Sequence, residues 1–151
     1  MSSRCLLLLF LFLVVGCRNV QTRVYDVHVK NESPGPILVW LTKDGPLWEE
    51  GWKSPEDLAV ESPRMREPIA GVIVPPGQAT STGRIRGRFE PETQAILRIY
   101  NGEFTFNELL AMNREDPART DVVLQPGIND LVVTHGRAGR LEIDHQHSPL
   151  K

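Results

Sequence analysis

Cysteine is nearly missing from this chain of 151 residues: there are two, Cys5 and Cys17. Everything after Cys17 therefore lacks a thiol, so that part cannot be stapled by disulfides or use cysteine as a nucleophile or metal ligand. A long hydrophobic run is missing too. The longest apolar stretch, residues 6–15, is far shorter than the ~20 residues a helix needs to cross the hydrocarbon core. Neither sign of charge dominates, because 17 basic and 19 acidic residues leave a formal balance of −2. That balance argues against a nucleic-acid partner. Catalytic signatures are also lacking: there is no His-Glu-x-x-His pair, no Gly-x-Ser-x-Gly elbow, no phosphate-cradling glycine loop and no dinucleotide fingerprint. The reading is a non-enzyme without a cofactor.

What is present begins at the N-terminus. Arg4 and the terminal amine supply a thin positive region, the following leucines and phenylalanines an apolar one, and Gly16 a small residue at a cleavage point. This arrangement reads as a cleaved export signal over residues 1–16. An ordinary secretory peptide, cut near Gly16 or Cys17, is the plainer alternative. The residues Val14-Val15-Gly16-Cys17 resemble the lipobox of bacterial lipoproteins, with Val14 where leucine is usual.

The resemblance covers the N-terminus alone. It implies that Cys17 becomes the first mature residue and carries a diacylglyceryl group, which makes the membrane a partner. Each buried methylene contributes ~0.8 kcal/mol, and two or three chains together hold a protein firmly at a bilayer. Arg18 stands where enterobacterial lipoproteins kept at the inner membrane carry aspartate. By the same resemblance, the location is the cell envelope, at the outer membrane if the cell has one.

Residues 17–23 are polar and aperiodic, and are read as the lipidated cysteine and a short tether. Residues 24–144 form one domain, and residues 145–151 a tail. Within the domain, Tyr25, Val27 and Val29 alternate with Asp26, His28 and Lys30, as in a half-buried strand. Further β-type runs follow: ILVWLT, IAGVIV, QATST, AILRIY, DVVLQ, DLVVTH and RLEID. Pro75-Pro76-Gly77, Pro126-Gly127 and Asn101-Gly102 carry turn chemistry that predicts hairpins. Short helices are predicted at Ser54-Pro55-Glu56-Asp57, from its cap and first-turn acids, and from Asn107. Together these predict an all-β fold: a single antiparallel β-sandwich, immunoglobulin-like, with one or two short helices. A barrel is the main alternative.

Four groups of residues are candidates for chemistry. In DGPLWEEGW, Trp48, Glu49 and Trp52 offer indole faces and a carboxylate for a ligand such as cell-wall glycan, or fold back over an open end of the sandwich. Arg84, Arg86 and Arg88 alternate, so a strand would align them for anions or make a protected edge. His28 or His135 with remote carboxylates would serve a hydrolase. Asp144, His145 and His147 would serve metal capture, although no metal site is assigned. The leading expectation is a lipid-anchored envelope protein whose sandwich is a binding or structural accessory, engaging glycan or another envelope protein.

Overall fold

The computed structural model describes residues 19–61 and 71–151; the signal segment, Cys17 and Arg18 lie outside the described residues. The strands are β1 (Gln21–Asn31), β2 (Ile37–Lys43), β3 (Val72–Val74), β4 (Ala79–Phe89), β5 (Ala95–Tyr100), β6 (Arg119–Leu124), β7 (Gly127–His135) and β8 (Leu141–Ser148). Helices α1 (Pro55–Glu61) and α2 (Phe106–Ala111) interrupt them. One sheet has the order β4-β1-β7-β8 and the other β3-β2-β5-β6. Their inner faces share one apolar core, to which Tyr25, Val27 and Val29 contribute from the first sheet and Val39, Leu97 and Ile99 from the second. This is the all-β sandwich predicted above.

The two sheets differ in how they meet water. On β2 nearly every residue is buried, whereas β1 and β7 alternate. The reason is a second apolar cluster outside the β2 sheet, where Leu38, Trp40 and Tyr100 pack with Leu109 of α2 and Leu58 of α1. Two short helices can hold this position because both are capped. Ser54 and Asp57 exchange hydrogen bonds at the start of α1, and Thr105 and Glu108 form a reciprocal capping box on α2. Among the described residues, the outer face of the β4-β1-β7-β8 sheet has no such apolar cluster over it.

Several local predictions change in the assembled fold. None of the three turns makes a hairpin. Pro75-Pro76-Gly77 carries the chain from β3 to β4 and Pro126-Gly127 from β6 to β7, in each case from one sheet to the other. Asn101-Gly102 leads to α2. Turn residues set the local corner, but not whether the flanking strands pair. The pairings are antiparallel except that β1 and β7 run parallel, from Tyr25↔Gly127 to Asn31↔Val133. β1 begins inside the stretch read as tether, and β8 takes in residues 145–148 of the stretch read as tail. Gly127 permits that last pairing: a Cβ there would lie 2.5 Å from the Ser148 carbonyl oxygen.

One side of the sandwich is closed by a charge. Lys43, at the inward-facing end of β2, is fully buried along its side chain. Its Nζ donates to Glu49 Oε2 at 2.8 Å and to the Arg88 carbonyl of β4 at 2.9 Å, and sits 5.2 Å from the centre of the Phe89 ring. Glu49 also accepts the Arg88 backbone N–H at 2.8 Å. The pair thus joins the two sheets. Burial pushes the Glu49 carboxyl up, but its hydrogen bonds from Lys43 and Arg88 outweigh this and hold it below its usual value.

Glu49→Gln should therefore cost about 2–3 kcal/mol in urea unfolding, because it leaves the buried Lys43 charge uncompensated. Combining it with Lys43→Met should recover most of the loss. The stability that Glu49 contributes is complete above its unfolded value near 4.5 and is lost as pH falls through the lower folded value. An acid-unfolding midpoint that is the same in the wild type and the double variant would contradict this account.

Candidate functional site

The loop that carries Trp48, Glu49 and Trp52 divides their roles. Trp52 is only 2% exposed; it packs edge-on against Tyr25 and Phe89 and donates from Nε1 to the Arg86 carbonyl at 2.9 Å. Room for the indole comes from Gly87, where a Cβ would lie 2.8 Å from the Trp52 ring. Trp52 and Glu49 are therefore not ligand contacts: one fills the core and the other neutralises Lys43. Trp48 alone, 54% exposed, remains as a stacking surface.

Arg84, Arg86 and Arg88 lie exposed on β4, which is an edge strand. One of them is engaged by a carboxylate. Arg88 pairs with Glu49 at 3.2 Å, and Arg84 sits across from Asp26 in the β1–β4 register. The edge itself is covered where the loop reaches it, since Lys43, Glu49 and Trp52 take up backbone groups of Arg86 and Arg88. Covering an exposed edge in this way blocks pairing with another chain.

Beyond the covered part, the described residues of the same side form a pocket of about 430 Å³ that reaches the core between the sheets. Its deepest lining is aliphatic: Val27 and Val29 of β1, Val39 of β2 and Leu97 of β5 are core residues no more than 6% exposed, and Leu41 of β2 is partly buried in front of them. Trp40, Leu58 and Val72 add apolar walls. Polar groups come from Thr80, Ser81 and Thr82 on β4 and from Glu50 and Lys53 on the loop. This size and this distribution, apolar inside with a few polar groups, are those of small-molecule sites. Sequence reasoning missed the pocket. Its floor residues read as ordinary core, and Thr80–Thr82 reach it only because β4 lies in the opposite sheet from β3.

The histidines fall into two environments. His28, on the uncovered face, has Nδ1 2.7 Å from Asp130 and Nε2 3.0 Å from Asp26. Of these carboxylates only Asp130 is remote in sequence, and both ring nitrogens face an acid. His135 is exposed at the end of β7. His145 and His147 point back toward β7, where their Nε2 atoms donate to Asn129 Oδ1 and the Pro126 carbonyl, each at 2.9 Å. These contacts are structural. Among the described residues, no group of three or more histidines, cysteines or acids is placed to hold a metal, and no helix is long and apolar enough to cross a membrane.

The site and fold together define a β-sandwich domain with an apolar pocket between its sheets. No protein-family model matches the chain, and no curated protein matches it in sequence.

Trp52→Ala should cost about 3–5 kcal/mol, as expected for an aromatic removed from a packed core, while Trp48→Ala should stay within about 0.5 kcal/mol. Equal losses in denaturant melts would refute this division of roles. The Asp130 hydrogen bond raises the His28 pKa above 6.5, while burial, aided by His147, lowers that of His145. Histidine NMR titrations should find the two on opposite sides of 6.5, with Asp130→Asn moving His28 down. The stability that His28 contributes is complete below 6.5 and is lost as pH rises through its folded value.

Proposed function

We propose that this chain is a lipid-anchored lipoprotein of the bacterial cell envelope whose sandwich is a binding domain rather than an enzyme. Support for the anchor is the lipobox-type sequence Val14-Val15-Gly16-Cys17, with the only other cysteine inside the signal segment. Support for binding is the inter-sheet pocket, the one observation that carries this reading, since folded sandwiches normally fill the space between their sheets with side chains. Location at the outer membrane, where a cell has one, follows from Arg18 next to the anchor. A tether of only a few residues before β1 would keep the pocket close to the membrane. Trp48 gives this domain a second, smaller surface for glycan or a neighbouring envelope protein.

Intact mass of the chain extracted from membranes should show an N-terminus at Cys17 carrying acyl groups, and Cys17→Ser should leave it unmodified. Sprayed under native conditions, the same preparation should carry a noncovalent ligand that denaturation releases. A mature chain starting at Arg18 without lipid would overturn the anchor, and a ligand-free native mass would overturn the binding role.

A further inference from the structure

We infer that the inter-sheet pocket takes the aliphatic chain of an amphiphile with a neutral, hydroxyl- or ester-bearing head, such as a monoacylglycerol. This deepens the binding role proposed above and rests on it.

The floor determines the body of the ligand. Leu41, Leu58 and Val72, backed by the core residues Val27, Val29, Val39 and Leu97, present only branched hydrocarbon, with no polar side-chain atom to pair with a buried polar group. A polar ligand body placed there would lose its hydration without replacement, at a cost of roughly 1–3 kcal/mol per unpaired group. Hydrocarbon incurs no such loss. The volume of about 430 Å³ is nearly three times the roughly 150 Å³ of an apolar cavity that holds benzene, so an extended alkyl chain fits better than a single side chain of a partner.

The mouth determines the head. Lys53 is the only cation among the described residues that line the pocket, and it is already held by two carboxylates. Its Nζ lies 2.6 Å from Glu61 and 3.7 Å from Glu50, whose own side chain is 96% exposed. Three charges at the mouth therefore sum to a net negative one, which disfavours a carboxylate or phosphate head. A hydroxyl opposite is suited to a neutral one. Thr82 Oγ1 is spent on the Val27 N–H and the Gly83 carbonyl, and Ser81, paired with outward-facing His28, lies on the other face of the strand. Thr80, paired with inward-facing Val29, supplies the hydroxyl on the pocket side.

The test uses the full chain in phospholipid nanodiscs, with the exposed Trp48 replaced by Phe so that membrane contact does not contribute. The probe is the glycerol monoester of dibromostearic acid, compared with dibromostearic acid itself at pH 8. Bromine quenches an indole only at close range, and Trp40 lines the pocket. The expected result is saturable quenching by the ester, with affinity at least tenfold above that of the acid. Leu41→Phe and Val72→Phe, which narrow the pocket, should abolish quenching while the melting temperature holds. Glu50→Lys, at an exposed position, should bring the acid closer to the ester.

Absence of saturable quenching, or quenching that survives both narrowing variants, overturns the pocket assignment. Equal or tighter binding of the acid overturns the neutral head. These failures remain distinct from failure of the envelope reading, because acylation at Cys17 is decided by mass alone. A native ligand that is not an amphiphile would leave the binding role standing and end this assignment.

Discussion

The arrangement of this domain depends on one buried cation. Lys43 closes β2 with its ammonium pointing into the sandwich, where an unpaired charge would be costly, and only the approach of Glu49 and the Arg88 carbonyl makes that position tenable. Those partners come from a loop and from the opposite sheet. Satisfying the charge therefore brings the edge of β4 to the end of β2 and draws the loop between them. A hydrophobic pair of similar volume could match its stability but would not dictate which backbone groups meet. The cation specifies position more than it adds stability.

From this constraint follows the asymmetry of the open side. Where the loop is drawn in, Trp52 enters the space left by Gly87, and three side-chain donors and acceptors satisfy the backbone of β4. Further along, the pocket begins at Leu41, Leu58 and Val72, with Val27 and Val29 of the core behind them. Covered edge and pocket are two parts of one side. The proposed binding role uses the part beyond the Lys43 cluster.

The outer faces diverge for a related reason. Helices α1 and α2 bury Leu38, Trp40 and Tyr100 on one sheet, so the conspicuous run ILVWLT is apolar on both sides. The other sheet presents Asp26, His28, Asp130 and the three arginines to water, with opposite charges set beside one another. His28 lies between Asp26 and Asp130, and Arg88 pairs with Glu49 at the edge.

Much of the local structure was legible in the residues themselves. The alternation around Tyr25, Val27 and Val29 and the Ser54–Asp57 cap depend on contacts within a few positions, which side-chain periodicity and backbone hydrogen bonding dictate directly. Arg84, Arg86 and Arg88 could be read as sharing a face for the same reason. What sequence could not decide was direction and partnership: that Trp52 turns inward while Trp48 does not, that Pro75-Pro76-Gly77 crosses between sheets, or that residues 145–148 complete a sheet. Lys43 meets the backbone of a residue 45 positions away, and the pocket is lined from five strands, a helix and a loop. Periodicity determines which face of a strand is apolar; only the packing of distant strands determines what that face meets.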